Sequence, residues 1–279
     1  MRVVGIVLLH DEDVFAERVI RNVAGLCDHV HVADHASTDG TWAVVSRLAG
    51  ELDNVEATRI SHAARSHDLL QPYVGTDTWV ISADGDELFD PEGLRRIRGE
   101  LEAGRFGSYF RLFPAMLHCV ALDTEAATAT GYLSPPARSG PKLFNFAALE
   151  SWDRVYRERL HEGEPVFKDG WDWESKLVLG DEHEWDENPF RCLHACFLRR
   201  SSNDPETGEH VRLNIGEADT YRRDLVGRVR RSLRRVPQSE SWKLEKYRQG
   251  PLVTKDASPF LAPVRVSSGS SGAAGGAGP

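Results

Sequence analysis

The sequence predicts an α/β protein, a mostly parallel sheet flanked by helices and followed by a smaller mixed half. Three observations predict it. Short apolar, β-branched runs alternate with helix-period segments through the first third of the chain, and such alternation implies parallel strands joined by right-handed crossovers. Asp11, Asp34 and Asp84 each fall just past the end of a strand-like run, on the rim where open α/β sheets bind ligands. After Gly107 the pattern shifts to longer aromatic and β-branched runs, which read as antiparallel strands.

Arg2 to Leu9 is the first expected strand. Asp11 to Leu26 is a helix, with Val14, Phe15, Val19, Val23 and Leu26 at helical spacing. His29 to Ala33 is a β-branched strand, Ser37-Thr38-Asp39-Gly40 a turn, and Thr41 to Leu52 a helix. Val55 to Ile60, Ala63 to Tyr73 and Trp79 to Ala83 continue as strand, helix and buried strand. Ser108 to Cys119 follows as strand, 121–141 as a long loop rich in Pro and small residues, and Lys142 to Phe146 as strand. Residues 150–191 are dense in Trp and acidic groups with little periodicity, the composition of binding walls and lids. Trp152, Trp171, Trp173 and Trp185 serve there either in packing or as faces of a binding wall. Residues 267–279 form a flexible Ser/Gly/Ala tail that buries no core.

Composition narrows the function. The chain has 279 residues, 41% of them hydrophobic and 28% charged, which is globular rather than disordered. Its net charge of −9 argues against nucleic acid as a partner. No run reaches the roughly 20 apolar residues that span a bilayer. Val3 to Leu9 is too short for a signal-peptide core and reads as a strand. Cys27, Cys119, Cys192 and Cys196 are too scattered for a disulfide framework, so a reducing, cytoplasmic setting is expected. Cys192-Leu193-His194-Ala195-Cys196 invites a zinc reading. The absence of a partner CxxC or HxxxH elsewhere disfavours it.

Asp84-Gly85-Asp86-Glu87 is the densest chemical signal. Three carboxylates within four residues repel one another unless something cationic sits among them. A hard divalent cation, Mg²⁺ or Mn²⁺, takes such oxygen ligands and leaves positions for substrate phosphates. The competing reading is a solvated acidic turn, because Asp90-Pro91-Glu92 has the pattern of a helix N-cap with Pro at the first helical position. Far downstream, Asp219 to Val236 is amphipathic: Tyr221, Leu225, Val229 and Leu233 form one stripe and seven arginines cover the rest. Such a helix either docks on the acidic body or touches an anionic membrane surface.

Asp34-His35-Ala36-Ser37-Thr38-Asp39-Gly40-Thr41 resembles the D-x-x-S-x-D-G-T element of family 2 glycosyltransferases, and Asp84-Gly85-Asp86-Glu87-Leu88 resembles their D-x-D-E-F metal motif. The resemblance is good over residues 1 to about 115. Downstream it rests on Pro141-Lys142-Leu143-Phe144, Arg159-Leu160-His161-Glu162 and Leu193-His194. Two departures stand out: the first strand ends His-Asp-Glu where Asn-Glu is usual, and Gly85 stands where Ala is common.

The resemblance implies a GT-A fold. Residues 1–115 would bind the nucleotide sugar. Residues 116–236 would bind the acceptor and end in the amphipathic helix, with 237–266 as an extension. It implies an inverting enzyme that moves a sugar from a nucleotide-sugar donor, a UDP-sugar, to a hydroxyl on a glycan, lipid-linked glycan or small natural product. Leu9, Asp11, Glu12, Asp34, Ser37, Arg65 and Asp84 would line the nucleotide-sugar pocket. Asp86 would bind Mn²⁺ or Mg²⁺, with His194 as a further contact, and Asp86→Ala would then remove metal-dependent binding with the fold intact. Glu162 would be the catalytic base, ahead of Asp172, Glu174, Asp181 and Glu182. A nucleotidyltransferase of related fold should show a Gly-rich basic loop after the first strand. This chain has His10-Asp11-Glu12-Asp13 there. A non-catalytic sugar- or nucleotide-binding module is the rival of another class.

Overall fold

A computed structural model describes residues 1–153, 160, 163–207, 210 and 241–262. The expected basic helix 219–236, Glu162 and the tail 267–279 lie outside the described residues. The first half runs β1 (Arg2–Leu9), α1 (Ala16–Leu26), β2 (His29–Asp34), α2 (Thr41–Glu51), β3 (Val55–Arg59), α3 (Arg65–Asp68), β4 (Thr78–Asp84), β5 (Glu87–Phe89) and α4 (Pro91–Glu102). The second half runs β6 (Arg111–Phe113), β7 (Ala115–Asp123), β8 (Thr128–Leu133), β9 (Leu143–Asn145), β10 (Leu149–Asp153), β11 (Glu164–Phe167), β12 (Lys176–Val178), α5 (Leu179–Glu182), β13 (Arg191–His194), α6 (Ser241–Tyr247), β14 (Leu252–Asp256) and α7 (Ser258–Leu261).

The central sheet has the order β12-β6-β9-β4-β1-β2-β3. Its core, β3-β2-β1-β4, is parallel, and β9 joins it antiparallel. The fold is thus the expected Rossmann-like α/β arrangement. β1 is buried from Val3 to Leu9, as a strand covered on both faces must be. Val3, Val7 and Leu9 pack with α1, α2 and α4. Val4, Ile6 and Leu8 point the other way, into a cluster with Phe110, Phe144, Phe146 and Trp152. Gly5 lets α1 approach closely, because a Cβ there would stand 2.7 Å from Val23 Cγ1.

A second sheet, β14-β8-β7-β13-β5, carries its own core of Leu117, Trp185, Leu193 and Phe260. The chain passes from the first sheet to the second at Pro114, between β6 and β7. The sheets are interleaved in sequence, since β9 and β12 return to the first and β5 belongs to the second. Asp90 caps α4 by accepting the Glu92 N–H (3.0 Å), and its other oxygen binds Arg191 of β13 (2.7 Å). The expected N-cap therefore also fastens the second sheet to the first.

Three expectations change. The first helix begins at Ala16 rather than Asp11, because the backbone of 11–13 bonds side chains of the 37–41 segment instead. The helix expected over Ala63 to Tyr73 breaks into α3 and a 3₁₀ turn at Gln71–Tyr73, where Pro72 has no N–H to continue an α-helix. The 121–141 loop contains β8, paired with both β7 and β14. Its small residues hid the strand signal, yet Gly131 is required there: a Cβ would stand 2.3 Å from the His118 carbonyl oxygen. Trp152 and Trp185 are buried packing residues, whereas Trp171 and Trp173 are only partly buried.

The second cluster also buries a histidine. His67 of α3 bonds the Trp152 carbonyl through Nε2 (2.9 Å). Burial pulls its pKa below the ordinary 6.5, and this outweighs the opposing carbonyl bond. The folded state therefore binds fewer protons than the unfolded chain just below pH 6.5. The neutral ring's contribution is complete above 6.5 and is lost as pH falls through that value. In urea titrations the stability of His67→Asn is expected to fall less than wild type between pH 7.5 and about 5.5. Equal slopes in the two proteins would remove His67 from the acid response.

Candidate active site

Strand register assembles the site. In the parallel ladders Leu8 pairs with Asp84, Leu9 with Asp34, and Asp34 with Arg59. The rim therefore presents Arg59, Asp34, the end of β1 and Asp84 side by side. Strand order reverses between β1 and β4, the switch point where α/β sheets open a ligand crevice.

The motif carboxylates meet two cations there. Lys142 precedes β9, and its Nζ lies 3.1 Å from Asp84 Oδ2 and 2.6 Å from Glu87 Oε1. Glu87 also accepts the Asp84 N–H (3.0 Å). Arg200 Nη1 bonds Asp86 Oδ2 and lies 3.1 Å from Glu12 Oε1. Asp86, Glu87, Lys142 and Arg200 are all buried, while the Asp84 side chain keeps 33% exposure. Burial pushes the Glu87 pKa up to about 8; Asp84 and Asp86 add to the shift and Lys142 opposes it. Burial lowers the Arg200 pKa, but Asp86 and Glu12 more than reverse this and hold it charged.

Gly85 explains one departure from the family pattern. A Cβ there would stand 2.1 Å from Glu12 Oε2 and 2.4 Å from Leu9 Cδ2. Glu12 occupies the space that an alanine methyl would need.

The Ser37–Thr41 element braces the rim. Asp11, at φ 54°, accepts the N–H groups of Thr38 (2.6 Å) and Asp39 (3.3 Å). Its own N–H donates to Ser37 Oγ (3.0 Å), and that of Glu12 to Thr41 Oγ1 (2.8 Å). Asp39 accepts from Thr41 N–H and from Ser201 Oγ (2.6 Å). Asp13 accepts from Gly40 N–H and Ser202 N–H. The element thus joins the β1 end and the start of α2 to the segment carrying Arg200. Asp34 is fully buried: its Oδ2 takes Arg59 Nε (2.9 Å), while Oδ1 has no hydrogen-bond partner among the described residues.

No protein-family profile matches the chain, and no curated protein matches it in sequence. Several solved structures show distant likeness. A mannosyltransferase from Pyrobaculum calidifontis in complex with GDP-Man and Mn²⁺ is 19% identical with a TM-score of 0.32; the match covers 44% of this chain and 36% of that one. The chain therefore spans about a third of that protein's length. A 4-diphosphocytidyl-2C-methyl-D-erythritol synthase from Anaerococcus prevotii is 11% identical with a TM-score of 0.33, covering 52% of this chain and 70% of that one. A mannose-6-phosphate isomerase from Helicobacter pylori is 11% identical with a TM-score of 0.35, covering 70% and 97%. Likeness at this level carries no argument about activity, which rests on the rim itself.

Leu9, Asp11, Glu12, Asp34, Ser37 and Asp84 converge on this rim, with Asp86 buried behind it. His194 joins them, its Nε2 3.6 Å from Asp86 Oδ2. Arg65 instead pairs with Asp68 on the exposed side of α3 (3.2 Å), and among the described residues no ion pair links it to the motif. Asp86 faces inward to Arg200 rather than outward to the rim. Asp172 bonds Ser175, and Glu174 pairs with Lys176. Sequence reasoning required a cation among the carboxylates but assigned that role to a metal. In the sequence Lys142 stands out only within Pro141-Lys142-Leu143-Phe144, and Arg200 belongs to no motif. The available signal was an Arg pair just after an apolar strand.

Because Arg200 is buried against Asp86 and Glu12, Asp86→Ala would remove one of its two buried carboxylate partners, and the expectation of an intact fold changes accordingly. Arg200→Met is likewise expected to destabilise the protein by about 3–5 kcal/mol, read as a lower urea midpoint. A shift below about 1 kcal/mol would show the pair to be only as weak as an exposed one.

Proposed function

We propose that this chain is a glycosyltransferase that uses a nucleotide-sugar donor, a UDP-sugar, and a divalent cation to glycosylate an acceptor hydroxyl with inversion. The observation that carries the reading is the register that sets Asp84 beside the β1 end and Asp34 at the switch point. The acidic loop after β1 does not suit a nucleotidyltransferase, whose phosphates need a basic, Gly-rich loop there.

The donor set fits a hard cation. Carboxylates of Glu12, Asp84, Asp86 and Glu87 outnumber the cations Lys142 and Arg200 that touch them. Among the described residues, negative charge remains there even with Glu87 protonated. Asp84, the exposed member, is the residue we assign to hold Mn²⁺ or Mg²⁺. When bound, that ion would screen the diphosphate and the charge of the leaving group. Arg200 and Lys142 keep the carboxylate array fixed in advance, and such preorganisation is what electrostatic catalysis requires. Asp86 acts from behind by orienting Arg200 and His194. Asp34, buried beneath the rim with Arg59 on its Oδ2, is assigned to the base or ribose side of the pocket, and Ser37 and Asp11 shape the wall beside it. We assign proton removal from the acceptor to Glu162, outside the described residues.

Two measurements test this. Isothermal titration with UDP should show Mn²⁺-dependent binding that Asp84→Asn weakens at least about tenfold, roughly 1.4 kcal/mol. No metal-dependent nucleotide binding by wild type would sink the proposal. Glu162→Gln should lower turnover about 100-fold or more with donor affinity unchanged. Unaltered turnover would move the base to Asp181 or Glu182.

A further inference from the structure

Behind the rim, on the second sheet, lies a group of which the transferase reading uses only His194, through its contact with Asp86. His118 of β7 and His194 of β13 are paired residues in a parallel ladder, so both side chains leave the sheet on the same side, next to each other. Cys196 follows two residues later. One ring nitrogen of each histidine and the Cys196 Sγ lie within 4.8 Å of one another, and all three residues are buried. Tyr247 of α6 closes over them, stacked on the His118 ring at 4.4 Å and edge-on to His194 at 5.3 Å.

The outward ring nitrogens determine what the inward ones offer. His118 Nε2 lies 3.0 Å from the Arg138 carbonyl oxygen, an acceptor only. Nε2 therefore carries the hydrogen, and Nδ1 of the neutral ring presents a lone pair. His194 Nε2 faces the Asp86 carboxylate, which likewise favours a hydrogen on Nε2 and a lone pair on Nδ1. The two Nδ1 atoms face each other at 2.8 Å. Without a cation, His194 would carry its hydrogen on Nδ1 and turn a bare Nε2 lone pair toward the Asp86 carboxylate. An outer carbonyl on one histidine and an outer carboxylate on the other is the arrangement that orients histidines bound to a metal.

We propose that His118, His194 and Cys196 form a binding site for a borderline-soft divalent cation, Zn²⁺ by preference, separate from the hard-cation position at Asp84. Imidazole and thiolate select zinc over magnesium or manganese. A tetrahedral zinc ion sets its nitrogen ligands about 3.3 Å apart, a few tenths of an ångström wider than the present contact and within reach of small ring rotations. The three ligands found among the described residues leave a fourth position for water or a further side chain. Bound there, the ion would tie β7 to β13 and hold the His194 face of Asp86 in place. The inference does not depend on the glycosyltransferase reading.

The test uses the full chain, stripped with a chelator and titrated with Co²⁺ and then Zn²⁺. We expect one equivalent of Co²⁺ to give a thiolate-to-cobalt charge-transfer band that Zn²⁺ abolishes. Cys196→Ser should lose the band, and His118→Gln should weaken Zn²⁺ binding at least about tenfold. Circular dichroism of each variant verifies folding. The edge trio His29, His31 and Glu56 can take an ion of its own, but without a thiolate band. Asp84→Asn should keep the band while losing Mn²⁺-dependent UDP binding, which separates this proposal from the previous one. A folded wild-type chain with no charge-transfer band, or a band that persists in Cys196→Ser, would overturn the site.

Discussion

Four carboxylates meet at the carboxyl edge of a parallel sheet, and two buried cations hold them together. Lys142 spans Asp84 and Glu87, and Arg200 spans Asp86 and Glu12. Like charges at this separation would otherwise force the strand end apart or take up protons. Each cation arrives on a different segment. Lys142 comes on the approach to β9, which pairs with β4, and Arg200 comes after β13, which pairs with β5. The motif is thus the point where both sheets close on each other, and its charge balance is a condition for the architecture.

The bracing extends outward from these pairs. Asp11, Asp13 and Asp39 spend their oxygens on backbone N–H groups and serines of neighbouring loops. These carboxylates order the loops, and they leave Asp84 as the motif member that still faces solvent. The division suits a site that must meet a charged ligand without rearranging. Cations and dipoles already in place cost no reorganisation when charge develops.

Behind this layer the polar chain continues inward, from Arg200 to Asp86, His194 and His118 and then to the Arg138 carbonyl. Chains of buried polar groups are stable only when each member finds a partner. Here the middle link is a pair of facing ring nitrogens beside a thiol. The link is completed by a hydrogen on one of the two Nδ1 atoms or, as proposed above, by a metal ion.

The parallel core, the carboxylate-rich strand ends and the Asp90 cap were all legible in the amino-acid sequence. Each is a local pattern: apolar periodicity, residue type at a strand end, a capping side chain before Pro91. Local pattern also placed Asp34 and Asp84 on one rim. What only the tertiary structure decided was the identity of their partners. Arg200 lies 114 residues from Asp86, Lys142 58 from Asp84, and His118 76 from His194. No spacing rule links such positions, because strand register and sheet order bring them together. The same holds for Asp86, which as sequence is a metal-motif carboxylate and in the fold is the buried counter-ion of an arginine.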